Sequence, residues 1–173
     1  MNDSSPLPPI DVLAERIGAT LRDRQQTVAV AESSAGGLVS AALLAVPGAS
    51  AFYRGGAVVY TRYAFRGLLD LGAEDMVGLR AETEPYAALI AGRIRDIHRA
   101  TWGLGESGAA GPSPSPYGDA PGHVCVAVAG TDAPPATRTV ETGDTRRGIN
   151  MEVFARQLLW LFDGVLHGTD SRS

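Results

Sequence analysis

Thr27-Val28-Ala29-Val30-Ala31 runs into Glu32-Ser33-Ser34-Ala35-Gly36-Gly37 and then into Leu38 to Leu44, and the rest of the chain can be placed from this stretch. The apolar, β-branched run reads as a strand over residues 27–31, the hydroxyl- and glycine-rich hexamer as a turn, and residues 36–45 as a helix. A serine at such a helix start sits beside N–H groups that can bind an anion or stabilise a developing oxyanion. The same serine can instead serve as an ordinary N-cap.

Upstream, Ile10, Leu13, Ile17 and Leu21 recur at helical spacing, which predicts an amphipathic helix over residues 10–23. Downstream, Pro47-Gly48-Ala49-Ser50 breaks the chain and leaves Ser50 on a loop. Ala57 to Tyr60 reads as a second short strand and Ala64 to Leu71 as a short helix. Glu84-Pro85 opens a helix to about His98 with an exposed arginine face, proline being tolerated in a first turn. Trp102 to Gly105 reads as a strand, Ser113 to Pro121 as a breaker-rich loop, and His123 to Ala129 as a strand paired with Thr137 to Glu141. Val153, Phe154, Leu158, Leu161 and Val165 mark a closing helix. Alternating strands and helices with two adjacent late strands predict a single α/β domain, a three-layer α/β/α sandwich around a mixed sheet.

Composition narrows the options. At 173 residues and 45% apolar content the chain is long enough for one substantial core. A net charge of -4 supplies no general basic field for a phosphate backbone, so nucleic acid is not expected as a partner. The one cysteine, Cys125, cannot form an internal disulfide and cannot hold a metal alone, so it reads as a small core residue. Residues 1–9 are polar and proline-rich and lack the basic start and apolar stretch of a secretory signal, and residues 168–173 close the chain as a second tail. No apolar run approaches the roughly 18 residues of a membrane span, so a soluble, cytoplasmic protein is expected. All 15 basic residues are arginine, and lysine is absent.

Taken in order, these landmarks resemble the CinA C-terminal domain family, whose characterised members are nicotinamide mononucleotide deamidases. The resemblance spans roughly residues 10–165, within a domain expected over residues 10–167. The family's Glu-Ser-Cys-Thr-Gly-Gly corresponds to Glu32-Ser33-Ser34-Ala35-Gly36-Gly37, and its Pro-Gly-Ala-Ser is intact at Pro47 to Ser50. Its Gly-Gly-x-x-x-Tyr matches at Gly55, Gly56 and Tyr60, and its Gly-Ile-Ala-Gly-Pro at Gly108-Ala109-Ala110-Gly111-Pro112. The following Pro-x-Gly-Thr-Val is represented by Pro121-Gly122-His123-Val124. The departures fall on chemistry. Phe65 stands at the family's lysine position, Ser34 and Ala35 replace cysteine and threonine, and Ser113 replaces an aspartate. The family's Gly-Asp-Arg is approximated by Gly143-Asp144-Thr145-Arg146, with an offset of one residue.

The resemblance implies hydrolysis of a carboxamide to a carboxylate and ammonia on a pyridine ribonucleotide, without metal or redox cofactor, in a homo-oligomer. Ser33 is the implied nucleophile, with Tyr60 and Glu32 as candidate proton-transfer groups. Ser34, Gly36, Gly37, Ser50, Gly108, Gly111 and Arg146 are the expected substrate contacts, with N–H groups near Gly36 and Gly37 facing the oxyanion. A serine hydroxyl needs a base to take its proton as it attacks. Arginine stays protonated and cannot replace lysine in that role, so Arg62 or Arg66 could hold a phosphate but not act as base. His123, Glu32 and Tyr60 remain as substitutes. The alternative is a catalytically degenerate member that keeps the pocket to bind a pyridine nucleotide or to assemble.

Overall fold

The computed structural model describes residues 6–169. Five helices, α1 (Ile10–Asp23), α2 (Leu38–Leu44), α3 (Arg62–Leu69), α4 (Glu84–His98) and α5 (Arg147–His167), alternate with five strands. The strands are β1 (Val28–Glu32), β2 (Tyr53–Val58), β3 (Trp102–Gly108), β4 (His123–Ala129) and β5 (Ala136–Glu141). They form one sheet in the order β2-β1-β3-β4-β5. β1 pairs parallel with β2 and β3, whereas β4 runs antiparallel to both β3 and β5. The expected mixed sheet is therefore present.

The side-chain alternation of the strands assigns the layers. Val28 and Val30 of β1, with Val124, Val126 and Val128 of β4, pack on Leu13, Ile17 and Leu21 of α1 and Phe154, Leu158 and Phe162 of α5. The opposite faces carry smaller residues. Ala29 and Ala31 meet Ile90 and Ile94 of α4 and Leu69 of α3, while Cys125, Ala127 and Ala129 meet Ala87 and Ala91 of α4. Helices thus cover both faces of a five-stranded sheet, a three-layer sandwich built on one sheet.

Small residues on the α4 side let that helix approach the sheet closely. A Cβ at Gly103 would lie 1.9 Å from the Ala91 carbonyl oxygen, and one at Gly105 would lie 2.2 Å from that of Ala87. Both obstacles are backbone, so a side chain at either position would push α4 away from β3.

The periodic elements match their expected bounds: α1, α4 and β4 fall on residues 10–23, 84–98 and 123–129. β2 starts earlier than the Ala57 to Tyr60 reading because Gly55 and Gly56 hide a half-exposed strand from an apolar pattern. Those glycines are steric, since a Cβ on Gly56 would meet the Tyr53 hydroxyl at 2.4 Å. β3 continues to Gly108, past the expected end at Gly105. α3 begins at Arg62, where the Thr61 hydroxyl caps it by accepting from the Ala64 N–H at 3.2 Å. The arginine face of α4 does not simply face solvent. Arg93 donates to the Leu69 carbonyl at 2.7 Å and Arg95 to that of Gly130, tying α4 to two neighbouring connections.

Residues 1–5 and 170–173, which make up most of the two expected tails, lie outside the described residues. Leu7 and Pro8 do not hang free, because their carbonyls accept from the Arg156 guanidinium of α5. Among the described residues, no helix is long and apolar enough to cross a membrane.

This topology positions the site. β1 and β3 are parallel neighbours, but the chain leaves β1 for α2 on one face and reaches β3 from α4 on the other. Such a switch point opens a crevice beyond the carboxyl ends of the two strands, where ligands bind in open α/β sheets. Ser33 follows β1, and Ala109 to Pro112 follow β3.

Gly105→Ala is expected to destabilise the fold by about 2–3 kcal/mol, the scale of core overpacking, because the Ala87 backbone cannot yield. At roughly 2–4 °C per kcal/mol for a domain of this size, calorimetry should register a drop of about 5–10 °C.

Candidate active site

Two buried glutamates shape the turn after β1. Glu32, with no exposed surface, ends that strand and points its carboxylate under α2. Its Oε1 accepts from the N–H groups of Gly37 at 3.1 Å and Val39 at 2.9 Å, and its Oε2 from that of Ser40 at 2.9 Å. A negative charge at a helix start is favourable, and here it takes up the donors that an anionic ligand would otherwise use. Glu106 rises from the centre of β3 and is equally buried. Its Oε2 accepts from the N–H groups of Ser33 at 2.9 Å and Ala35 at 2.8 Å, while the Ser34 hydroxyl donates to Oε1 at 2.6 Å. Burial pushes the Glu106 carboxyl up to about 7, against the opposing pull of Ser34 and the two N–H donors, with the nearby Glu32 charge adding to the rise.

This arrangement separates the two serines. Ser34 is almost fully buried and commits its hydroxyl to Glu106. Ser33 is half-buried and borders two adjoining cavities, one of about 500 Å³ and one of about 240 Å³. Among the described residues its Oγ has no hydrogen-bond partner. Four residues border both cavities and so form their junction: Ser33, Tyr60, Glu82 and Pro116.

The larger cavity is also walled by Ser34, the Gly108 to Pro112 segment and Arg147. Gly111 has φ of +95° and is joined to Pro112 by a cis peptide bond. Arg147, at the start of α5, donates to the Gly111 carbonyl at 2.7 Å and to the Tyr60 hydroxyl at 2.9 Å, with its guanidinium 5.7 Å from the Tyr60 ring centroid. It therefore ties three segments of the rim together. The smaller cavity is lined by Arg62, Phe65, Tyr86 and Tyr117. Phe65 is buried there and stacks on Tyr86 at 5.7 Å between centroids, so an aromatic pair forms part of the wall.

Glu82 has φ of +56°, unusual for a residue with a Cβ, and its backbone is held from both sides. Its N–H donates to Ser107 Oγ at 3.1 Å, and its carbonyl accepts from His123 Nε2 at 2.9 Å. His123 in turn bonds Glu141 through Nδ1. Burial pulls the His123 pKa down, but these two bonds and the charges of Glu141 and Asp119 outweigh it, and the net direction is upward. Both ring nitrogens are thus occupied, and His123 anchors Glu82 rather than facing the cavity. The Glu82 carboxyl is likewise raised, first by burial and then by the Asp119 charge, against the pull of Arg80 and His123.

The expected site residues divide accordingly. Ser33, Ser34, Tyr60, Gly108 and Gly111 come together around the larger cavity. Glu32 lies beneath the turn with both oxygens engaged by N–H groups, a structural cap rather than a proton carrier. Gly36 and Gly37 border neither cavity. Their φ values of +68° and +101° shape the turn, and their N–H groups donate to the Ser33 carbonyl and to Glu32, leaving none for an oxyanion. Ser50 lies on the short 3-10 turn Ala49–Ala51 leading into the amino end of β2, at the end of the sheet opposite to Ser33. A parallel connection must return the chain to that end, so Ser50 does not join Ser33 within one chain. Arg146 is 73% exposed and paired with Asp144 at 2.5 Å, and it borders neither cavity. Its neighbour Arg147 takes that place, a shift of the same one-residue size as the ambiguity at Gly143 to Arg146.

Glu82 and Arg147 border the cavities and Glu106 underlies the turn, and none of the three was expected from the sequence. A local signal did exist at Glu106, a charge among the mostly small and apolar residues of β3. Among the described residues, no group of three or more His, Cys, Asp or Glu side chains is arranged to hold a metal ion.

The CinA C-terminal domain family matches residues 10–165. A CinA-like protein from Synechococcus sp. (strain CC9902) is 38% identical over 122 residues, 70% of this chain and 29% of its own length. One from Anaeromyxobacter sp. (strain K) is 39% identical over 137 residues, 79% of this chain and 34% of its own length. The chain thus spans about a third of the length of these curated relatives. Among solved structures, the competence/damage inducible protein CihA from Agrobacterium tumefaciens is similar at a TM-score of 0.84 and 28% identity, over 94% of this chain and 99% of that one. A CinA superfamily protein from Enterobacter cloacae is similar at 0.85 and 26% identity, over 96% of each chain.

The Glu106 geometry makes a signed prediction. A proton on Oε1 would reverse the bond to Ser34 and keep both N–H contacts, so the neutral acid fits the same cage. With a folded pKa of about 7 above an unfolded value near 4.3, its stability contribution is complete below the unfolded value and is lost as pH rises through about 7. Glu106→Gln, isosteric with the neutral acid, should lose this pH dependence and be at least as stable as wild type near pH 8. Urea midpoints across about pH 5 to 8 check it, and a wild type that gains on the variant with rising pH would contradict it.

Proposed function

Because this chain belongs to the CinA C-terminal domain family, we propose that it is a pyridine-nucleotide amidohydrolase that converts the carboxamide of nicotinamide mononucleotide to a carboxylate and releases ammonia. The observation that carries the reading is Ser33, whose unpartnered hydroxyl stands at the junction of two cavities. Their combined size suits a small nucleotide.

In this reading Ser33 Oγ attacks the carboxamide carbon, forming an acyl ester that water later cleaves. Tyr60, whose hydroxyl accepts from Arg147, keeps its own proton available to the reacting oxygen. Arg147 on the larger cavity and Arg62 on the smaller supply positive charge, which suits a phosphate. The oxyanion is met at the cavity wall beyond β3 rather than at Gly36 and Gly37, whose N–H groups are already engaged. A homo-oligomer is part of the proposal, since Ser50, at the amino end of the parallel strands of its own chain, could meet a site only on another copy.

A second reading is supported by the stacked Phe65–Tyr86 pair, which fills the lysine position with a group that cannot move a proton as lysine does. The chain would then bind a pyridine nucleotide without turning it over.

Purified protein given nicotinamide mononucleotide should release ammonia and nicotinate mononucleotide in equal amounts. Ser33→Ala should lower kcat by on the order of 10³-fold or more, the scale of nucleophile loss. Binding by calorimetry without product selects the second reading, and equal activity of Ser33→Ala removes Ser33 as the nucleophile.

A further inference from the structure

Resting on the amidohydrolase reading, the geometry points to Glu82 as the general base that activates Ser33 in place of the missing lysine. Glu82 is the only carboxylate among the residues bordering either cavity, and it borders both, as Ser33 does. Its Oε2 is buried without a hydrogen-bond partner among the described residues, which is costly for a carboxylate and leaves an acceptor unused. The other buried acids nearby are fully engaged: Glu32 holds three N–H groups, and Glu106 holds two N–H groups and the Ser34 hydroxyl.

The backbone around Glu82 is built to present it. A left-handed φ on a residue with a Cβ persists only where its surroundings over-determine it. Here Ser107 Oγ fixes the N–H and His123 Nε2 fixes the carbonyl. His123 is therefore a positioning residue, and Glu82 the group that meets the substrate.

The groups facing Glu82 set its proton affinity. Arg80 precedes it on the same loop, Tyr86 faces it from α4, His123 and Cys125 from β4, and Asp119 from the loop after β3. Arg80 and Asp119 largely neutralise one another through a two-pronged pair at 2.7 and 2.9 Å. Burial then dominates and moves the carboxyl upward from its ordinary value, the direction that strengthens a base.

The proton inventory closes. As Ser33 Oγ bonds to the carboxamide carbon, Glu82 takes the hydroxyl proton. It returns that proton to the nitrogen as the C–N bond breaks and ammonia leaves. Water then attacks the ester with Glu82 taking its proton, the acyl C–O bond to Ser33 breaks, and the proton goes back to Ser33 Oγ. No other reactant is needed.

Glu82→Gln keeps the volume and the backbone contacts, and its melting temperature reports whether it folds. With nicotinamide mononucleotide, the variant should lower kcat by roughly 10²-fold with KM within about threefold, and should lose the acid limb through which wild-type activity rises with pH. A raised KM with kcat unchanged would overturn the proposal and make Glu82 a binding group for the pyridinium cation. A second arm needs no substrate. Phenylmethanesulfonyl fluoride forms an S–O bond to an activated serine and expels fluoride as the base takes the proton. Intact mass and peptide mapping should find the label on Ser33, at least about tenfold slower in Glu82→Gln. Equal rates, a label on Ser34, or no label on the wild type would each overturn Glu82 as the activating base. Glu82-dependent labelling without turnover removes the substrate reading and keeps the pair, whereas turnover indifferent to Glu82 does the reverse.

Discussion

Everything at the open end of the sheet depends on two carboxylates buried beneath one turn. Residues 33–40 leave β1 with most of their N–H groups directed inward, and Glu32 and Glu106 accept five of them between them. An unpaired buried donor costs about 1–3 kcal/mol, so without these acceptors the turn could not stay folded against the sheet. The two acids also sit close enough for the charge of Glu32 to raise the proton affinity of Glu106. That repulsion is tolerable because Glu106 can hold a proton without losing a contact. The turn thus keeps the same partners whether or not Glu106 holds a proton, and among the described residues Ser33 is the hydroxyl it leaves without a partner.

The same clamp explains why the site is chemically unlike a generic helix-start anion pocket. α2 is only seven residues long, and its leading N–H groups are already neutralised by Glu32. Positive charge at the cavities comes instead from Arg147 and Arg62. In the proposed reaction, proton transfer then falls to the acid that the clamp does not use. In a chain without lysine, binding charge and proton transfer are divided between arginine and carboxylate, two jobs that a single amine could otherwise combine.

How much of this was legible in the sequence varies with the range of the interaction. α1, α4 and β4 could be read to the residue because their signals are local: a 3.6-residue apolar stripe, Pro85 in a first turn, and an unbroken apolar run. β2 escapes an apolar reading because its glycines answer to the His98 ring of α4 and to the Tyr53 hydroxyl of the same strand rather than to an apolar pattern. Ser33, Ser34, Tyr60, Gly108 and Gly111 line one cavity because their motif order survives folding. Ser50 shares that order but lies at the other end of the strands, since strand direction is a property of topology. Glu106 and Glu82 are charges amid apolar or turn residues, yet nothing along the chain says that one meets a turn 72 residues away and the other shares two cavities with Ser33.

His123 links these ranges. As a strand-end residue it reads as an exposed edge or a base, and its pKa alone fits either reading. Its two bonds decide the matter, because a ring that donates to the Glu82 carbonyl through Nε2 and bonds Glu141 through Nδ1 has no nitrogen left for substrate. What it transmits is position: the antiparallel pairing of His123 with Glu141 sets the ring, and the ring holds the carbonyl of Glu82, whose left-handed backbone borders the same two cavities as Ser33. In the proposed reaction, the antiparallel half of the sheet, remote from the βα turn that carries Ser33, is what holds the backbone of the acid in place.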